Sequence, residues 1–203
     1  MYVVPVNVRD SEIEGCGTFA VDPLPVGTIV YLFGTDDIFS PLGELKAKKS
    51  ELLRWGIQNE AGDWLVSKDC LNHSCDANLL AAYIDGIYFD IVVSDIRAGE
   101  EITADYALFY SSFEHIDKCA CGELLCRGWI ASGVDADAVT LLRWHRKLRR
   151  AIERIHAVPQ PLYQVDDENA RKLHDALLGK PNPRLFQYVK FSIISKHLEE
   201  KRQ

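Results

Sequence analysis

The sequence predicts a mostly β body with short helices, followed by an α-helical extension at the carboxyl end. Short runs rich in β-branched and aromatic residues recur over residues 1–33 and 62–110, and turns containing Gly or Pro separate them. Beyond residue 131, apolar residues recur at helical spacing. The 203 residues, of which 47% are hydrophobic and 26% charged, suffice for one ordinary domain with an appendage.

Six short segments of the body have the composition of strands. A helix is expected between the second and third of them, over residues 41–57, where leucines and Trp55 recur at near-helical spacing. Gly99 supplies a turn before the last strand, since glycine adopts positive φ without strain. The predicted strands, in chain order, are YVVPVNV, GTIVYLF, DWLVS, LLAAYI, IYFDIVVSDI and EEITADYALFY.

Three helices are expected in the extension. The first, DADAVTLLRWHRKLRRAIERIH, places Leu141, Trp144 and Leu148 on one face and mostly arginines on the other. Acidic residues at its start favour the positive end of the helix dipole. A second helix is predicted at about 166–178 and a third at about 184–199.

The net charge of −7 divides unevenly along the chain. Residues 1–130 carry 9 Lys/Arg and 21 Asp/Glu, a balance of 9 − 21 = −12, and residues 131–203 carry 14 and 9, a balance of +5. An acidic body suits a basic partner such as a Lys/Arg-rich peptide, although a solvated acidic surface explains the same charge. The acidic body argues against nucleic acid as the main ligand.

The amino terminus and the hydropathy pattern predict an intracellular protein, cytoplasmic or nuclear. MYVVPVNVRD lacks the basic start and apolar stretch of a signal peptide, and no apolar run approaches the roughly 18 residues of a membrane span. In a reducing compartment the six cysteines are expected as thiols or metal ligands rather than disulfides.

Three cysteines near residue 120 indicate a structural zinc site. Cys119, Cys121 and Cys126 form a C-x-C-x4-C pattern, and a closed zinc site takes four tetrahedral N or S ligands. Cys75, in the segment LNHSCDANLL, is the natural fourth ligand. His115 is a plausible substitute, whereas Cys70 is expected as a small buried hydrophobe. Cys16 is too distant in sequence to assign.

Four motifs in this order resemble those of SET-domain protein lysine methyltransferases: GCGTFA, LNHSCDAN, AGEEITADY and CACGELLCRGW. The resemblance covers about residues 7 to 130. It implies a SET domain at 1–115, a β-fold of small sheets with a pseudoknot, and a post-SET zinc segment at 116–130, without a pre-SET module. The helical extension at 131–203 has no counterpart in the resemblance.

The resemblance also implies a methyl donor, S-adenosylmethionine, and residues that hold it. Gly15, Cys16 and Gly17 would let backbone approach the donor, while Asn72 and His73 would hold it largely through backbone. A strand-G-x-G-x-x-G-helix unit, which would indicate a Rossmann site, does not occur in the sequence. By the same resemblance Trp129 covers the adenine, although ordinary core packing is the alternative.

By the same resemblance Tyr106, in ADY, is the catalytic tyrosine that orients the substrate amine. Ala104 stands where many members have Phe or Tyr, so room for higher methylation states is expected. Phe33 matches a tyrosine of the lysine pocket, and Tyr31 lies two residues earlier on the same strand face. Loss of that hydroxyl would weaken the positioning of the amine.

Several interpretations compete with this one. A SET-like fold retained as a binding module for basic tails is the main alternative. A Cys75 nucleophile paired with His73 is a second enzyme hypothesis, but no orienting third group is evident. The extension is expected to pack on the body, with a homodimer interface or a cover over the substrate groove as alternatives. RWHRKLRRAIER also resembles a nuclear-targeting or nucleic-acid patch, although its periodicity favours a solvated helix face. A basic protein, such as a histone tail, is the expected substrate.

Overall fold

The computed structural model describes residues 1–32, 39–40, 56–58, 64–66, 70–85, 87–108, 117–130, 136–178 and 190–191. Strands dominate the body and two α-helices follow near the carboxyl end, which confirms the predicted fold class. The strands of the body are β1 Val6–Asp10, β2 Cys16–Ala20, β3 Ile29–Leu32, β4 Phe39–Ser40, β5 Gly56–Gln58, β6 Trp64–Val66, β7 Asn72–His73, β8 Leu79–Ile84, β9 Ile87–Val92 and β10 Glu101–Ala104. They are followed by β11 Asp117–Lys118, β12 Trp129–Ile130, α1 Ala138–Arg154, α2 Glu168–Leu178 and β13 Lys190–Phe191, with 3-10 turns at Tyr106–Leu108 and Pro161–Gln164.

The largest sheet carries the core, and its order is β1-β2-β10-β8-β9-β3. β8 and β9, both predicted as strands, form an antiparallel hairpin in register from Leu79↔Val92 to Ile84↔Ile87. β10 pairs antiparallel with β2 on one side, and parallel with β7 and β8 on the other. β10 therefore lies at the centre of the sheet, between three segments that are distant in sequence.

In the part of the chain that the structure describes, two smaller sheets accompany it. β4, β6 and β5 form a three-stranded antiparallel sheet, and β11 pairs with β12. Residues 56–57 were predicted as the end of a helix, which is wrong because they lie in β5 and pair with β6. The rest of that predicted helix, residues 41–55, lies outside the described residues.

The third predicted helix, at about 184–199, is wrong at the two residues that the structure describes. Lys190 and Phe191 form β13, which pairs antiparallel with Tyr83 and Ala82 of β8. β10 reaches β8 only at Leu79, and β13 pairs with β8 further along the strand. Backbone groups on a strand edge bind a further strand readily, and this pairing overrides the helical spacing seen in the sequence.

The two helices pack on the body as a layer. Five residues of α1, Thr140, Trp144, Leu148, Ala151 and Ile152, are buried, and the four apolar ones belong to the same core cluster as β3, β8 and β9. Asp137 caps the helix by accepting a hydrogen bond from Thr140 N at 2.7 Å, as the acidic start predicts. Because its apolar face is used within the chain, that face of α1 is closed to a second copy.

Neither described helix is long and apolar enough to span a bilayer.

Gln160 fixes the end of the helical layer to the sheet. This side chain is only 7% exposed, and its amide nitrogen donates to Gly27 O at 2.7 Å and to Ile155 O at 2.8 Å. Its amide oxygen accepts from Ile29 N at 3.0 Å. One side chain thus satisfies three buried backbone groups from two parts of the chain.

Replacing Gln160 by Ala should lower the free energy of unfolding by about 3 kcal/mol, because three buried backbone groups lose their partner at once. Urea unfolding followed by circular dichroism measures the change. Gln164→Ala, at an exposed position four residues later, is the control and should stay within about 0.5 kcal/mol of wild type. Equal stability of the two variants would contradict this role of Gln160.

Candidate functional site

The sheet order brings the sequence motifs together at β10. Thr103 and Ala104 pair with Asn72 and His73 of β7, and Ile102 pairs with Thr18 of β2. Three segments therefore share one end of the sheet: the residues after β10, the Asn72–His73 pair, and the loop that leads into β2 through Gly15, Cys16 and Gly17, called the glycine loop below. Parallel pairing of β7 with β10 cannot be read from either segment alone, since it joins residues about thirty positions apart.

The side chain of Asn72 holds the glycine loop. Asn72 is 4% exposed, and its amide nitrogen lies within hydrogen-bonding distance of Glu14 O (3.2 Å), Cys16 O (3.0 Å) and Glu101 Oε1 (2.7 Å). Glu101 also accepts from the Ser11 hydroxyl at 2.9 Å. The amide nitrogen of Asn72 is thus bonded to protein acceptors on the glycine loop and on β10.

Gly17 leaves room for the Glu101 carboxylate. A Cβ at position 17 would lie 2.3 Å from Glu101 Oε1, so a side chain there would displace this carboxylate from its bonds to Ser11 and Asn72. Gly15 has φ +50°, and a Cβ there would meet nothing within 4 Å, so this glycine supplies the turn instead. The two glycines of the motif therefore serve different purposes, one steric and one conformational.

His73 lies between the turn that begins at Tyr106 and the cysteines. Its Nδ1 accepts a hydrogen bond from Tyr106 N at 3.1 Å, so the proton of the neutral ring resides on Nε2, 3.3 Å from Cys75 Sγ. Burial lowers the pKa of His73 to about 4, and the charge of Arg127 adds to this, while Asp105 opposes it. A neutral ring that donates to a sulfur is the arrangement that orients a thiolate ligand.

Tyr106 is fixed at both its backbone and its hydroxyl. The residue begins the 3-10 turn after β10, its backbone N–H donates to His73, and its hydroxyl donates to Leu71 O. The His73 and Tyr106 rings lie 5.3 Å apart between centroids. The tyrosine is therefore held between two residues that flank Asn72.

Four thiols converge at the predicted metal centre. The sulfur atoms of Cys75, Cys119, Cys121 and Cys126 all lie within 4.8 Å of one another, and Cys75 Sγ is 3.7 Å from Cys119 Sγ. Tetrahedral zinc with Zn–S bonds of about 2.3 Å separates its sulfurs by about 3.8 Å. Cys75 is thus the fourth member of the cluster, and the donor set suits a soft divalent metal.

Backbone amides surround the sulfur atoms. Arg127 N lies 3.4 Å from Cys75 Sγ, Cys121 N lies 3.5 Å from Cys119 Sγ and Gly128 N lies 3.3 Å from Cys126 Sγ. N–H groups directed at sulfur stabilise thiolates, which are the form that binds a metal. The turn at Gly122, with φ +70°, lets the chain reverse between the cysteines.

Asp105 joins the turn after β10 to the cysteine segment and to α1. This carboxylate is 1% exposed and accepts four hydrogen bonds: from both terminal nitrogens of Arg127 at 2.5 and 2.7 Å, from Trp144 Nε1 at 2.9 Å and from Ala107 N at 3.2 Å. Burial opposes the charge of Arg127, but the hydrogen bonds and charge of Asp105 outweigh it and raise the pKa of Arg127. A buried carboxylate needs such pairing to remain charged.

Asp105, Arg127 and Trp144 were not predicted as site residues from the sequence. The first two lie inside quoted motifs, ADY and CRGW, and the third was assigned to the apolar face of a helix. The signal that could have found them was an aspartate directly after an apolar strand, because a carboxylate at such a position requires a partner. The sequence contains no indication of which partner it takes.

The Cys75–His73–Asp105 arrangement resembles a nucleophile triad but does not meet its requirements. Asp105 Oδ1 lies 3.7 Å from His73 Nδ1, and that nitrogen already accepts a hydrogen bond from Tyr106 N. Cys75 is 1% exposed, and burial raises the pKa of its thiol to about 11, the opposite of an activated cysteine.

Two cysteines behave differently from the prediction. Cys70 was expected as a small buried hydrophobe and Cys16 as a thiol or metal ligand, but the two form a disulfide with Cα atoms 5.4 Å apart. The expectation that the chain has no disulfide is wrong, because β2 and the segment before β7 run side by side and Thr18 Oγ1 donates to Cys70 O at 3.0 Å. This disulfide ties the glycine loop to Cys70, two positions before Asn72.

The remaining predicted residues are placed as follows. Trp129, in β12, is 55% exposed, which excludes the alternative of core packing. Ala104 is fully buried at the end of β10. Phe33 and His115 lie outside the described residues.

Comparison with known families assigns the region around β10. The family model described as SET domain matches residues 15–107.

Residues 15–107 form a SET domain.

Two curated proteins from Drosophila melanogaster match this chain in sequence. Histone-lysine N-methyltransferase trr is 25% identical over 139 residues, and Histone-lysine N-methyltransferase Set2 is 30% identical over 148 residues. These alignments cover 62% and 66% of this chain. The chain spans about 6% of the length of each relative.

Two solved structures resemble it at lower identity. KRYPTONITE, in complex with mCHG DNA and SAH, is 18% identical, with a TM-score of 0.44 over 63% of this chain and 29% of that chain. The methyltransferase domain of human Histone-lysine N-methyltransferase SETMAR is 16% identical, with a TM-score of 0.46 over 64% of this chain and 58% of that chain.

Reducing the Cys16–Cys70 disulfide should destabilise the SET domain. A cross-link between residues 54 positions apart restricts the unfolded chain by up to about 4 kcal/mol, so a phosphine reductant should lower the urea midpoint. The matched control is the double variant Cys16→Ser, Cys70→Ser, whose midpoint should not respond. If the reductant lowered the urea midpoint of both proteins equally, it would be acting at the cysteine cluster and not at this disulfide.

Proposed function

We propose that the chain is an S-adenosylmethionine-dependent protein-lysine N-methyltransferase with its active site at the end of β10. The observation that carries the proposal is the placement of Tyr106 within the SET-domain match, with its backbone bonded to His73 and its hydroxyl to Leu71 O. Both curated relatives are named as histone-lysine N-methyltransferases.

The bound donor supplies a sulfonium methyl group, an electrophile that requires no metal at the reacting carbon. The chain's own task is to hold the reactants in line and exclude water. Asn72 keeps the glycine loop against β10 through its bonds to Glu14 and Cys16, which supports a role of this loop beside the donor. Trp129, an aromatic side chain 55% exposed next to the cysteine cluster, is free to cover the adenine.

The hydroxyl of Tyr106 would orient the substrate amine. Because it donates its proton to Leu71 O, its oxygen carries increased negative charge toward its other side. Such an oxygen attracts the amine hydrogens and favours the positive charge that accompanies methyl transfer. Ala104, in place of a larger aromatic residue, would leave room for higher methylation states, and this stays a prediction.

A basic protein, such as a histone tail, is the proposed substrate. Residues 1–130 carry the balance of −12, and such an acidic body attracts a Lys/Arg-rich segment. The relatives' names point to histones. The same relatives favour a nuclear location.

The cysteine cluster is proposed to hold one structural zinc ion. The four thiol donors, the sulfur spacing and the surrounding amides fit this metal, and the ligands come from the SET domain and from residues 119–126. A bound zinc would hold β11 and β12, and with them Trp129, next to His73.

The alternative is a SET-like binding module for basic tails. By the resemblance, a tyrosine is expected at position 33 and a Phe or Tyr at position 104, and these side chains would help to position the substrate amine. This chain has Phe33 and Ala104 instead. Binding of the donor separates the two functions only in part, whereas turnover separates them fully.

Replacing Tyr106 by Phe should lower the turnover number by about 10²- to 10³-fold, because one oxygen at the reacting centre is lost. Transfer of labelled methyl from S-adenosylmethionine to core histones and to a cell lysate measures it. The dissociation constant of the donor should change less than about twofold. Tyr163→Phe, at a tyrosine in the 3-10 turn Pro161–Gln164, should match wild type. Absence of transfer by wild-type protein that binds the donor would favour the binding module.

Purified protein should contain one zinc per chain by atomic emission. Cys121→Ser should lose the metal, since three thiolates hold zinc less tightly than four, while Cys70→Ser should keep it. Replacement by cobalt gives an absorption spectrum that reports four thiolate ligands. A metal-free wild type with the same tryptophan fluorescence and stability as a zinc-loaded sample would contradict the structural role.

A further inference from the structure

Trp144 has a polar contact that its place on an apolar helix face does not require. It lies in α1, beyond the SET-domain match at 15–107, and is 2% exposed. Its indole nitrogen donates to Asp105 Oδ2 at 2.9 Å. Buried tryptophans usually find an acceptor, but this acceptor is the residue directly before Tyr106.

The position of Tyr106 depends on Asp105 through the backbone. Leu108 N donates to the Asp105 carbonyl at 3.0 Å, and Ala107 N donates to its carboxylate at 3.2 Å. These two bonds close the 3-10 turn Tyr106–Leu108. A shift of the Asp105 side chain would therefore change the turn that carries the tyrosine.

Arg127 alone does not fix the carboxylate on all sides. Its side chain is 21% exposed, so water competes for the guanidinium. Asp105 Oδ2 accepts two hydrogen bonds, one from Arg127 and one from the indole of Trp144. The Arg127 guanidinium also lies over the Trp144 ring, 5.5 Å from its centroid. The indole thus holds both members of the ion pair.

We propose that Trp144 is a positioning residue for Tyr106, acting through the carboxylate of Asp105. The inference rests on the proposed methyl transfer and extends the active site to α1. The first helix of the carboxyl-terminal extension then contributes to the reaction as well as to the core. Trp144 itself touches neither donor nor substrate in this proposal.

The helix has other contacts that keep it in place when Trp144 changes. Arg143 donates to Cys75 O at 2.8 Å, and Lys147 donates to Ala77 O at 3.0 Å and pairs with Asp76 at 2.8 Å. These bonds attach α1 to the turn after His73. A change at Trp144 can therefore be tested with the helix still docked.

The experiment compares three changes in the full-length, metal-loaded protein. Trp144→Phe removes the indole N–H and part of the ring. Incorporation of β-(3-benzothienyl)alanine at position 144 replaces the N–H by sulfur and keeps the shape. Leu148→Ala, the control, removes a fully buried side chain one turn further along α1 without touching Asp105.

Loss of the N–H should lower the turnover number about tenfold or more and change the KM of the donor less than about twofold. Leu148→Ala should lower the melting temperature and leave the turnover number unchanged below it. In the Tyr106→Phe background, removal of the N–H should change turnover less than about twofold, because the two residues act as a unit.

Three results would overturn the proposal: an equal fall in turnover for Leu148→Ala, no fall with the benzothienyl side chain, or fully multiplicative effects in the double variant. Hydrogen exchange of the Ala107 and Leu108 amides gives a readout independent of activity. Their exchange should accelerate with the benzothienyl side chain, and unchanged rates would also overturn the proposal. If wild type transfers no methyl group, the proposed function fails and the exchange rates alone decide the role of Trp144.

Discussion

The pairing of the Asp105 carboxylate is the interaction on which the rest of the site depends. A carboxylate that is 1% exposed carries a large desolvation cost unless every lone pair is met. Here the donors come from the turn itself, from Arg127 after the cysteines and from Trp144 in α1. Three segments must therefore be in place before this charge is satisfied, so the segments that flank the site assemble together.

A second polar network lies at the other end of the same strand. Glu101 begins β10 and binds Asn72 and Ser11, whereas Asp105 follows its last residue. Between the two carboxylates, Ile102 and Ala104 are fully buried. Each end of this short strand is thus held by charge-assisted hydrogen bonds, which are the stronger kind.

Three basic residues of α1 contribute to this assembly. Arg143 and Lys147 donate to carbonyl oxygens of the turn after His73, and Arg154 donates to Val26 O at 3.3 Å. Arg149 pairs with Glu153 within the helix. Part of the positive balance of the extension is therefore used against the acidic body, which weakens the interpretation of this helix as a nucleic-acid patch.

The sequence by itself determined the fold class, the bounds of β8, the two helices near the carboxyl end and the composition of the cysteine cluster. The strand, the two helices and three of the four cysteines follow from local spacing, and Cys75 follows because a closed zinc site takes a fourth ligand. The tertiary structure alone decided the Cys16–Cys70 disulfide, the pairing of β13 with β8 and the contact of Trp144 with Asp105. Each of these joins residues far apart in the chain, and their distance in space depends on the order of the strands. A residue's type shows that it needs a partner, but only the packing of the sheet selects which one it meets.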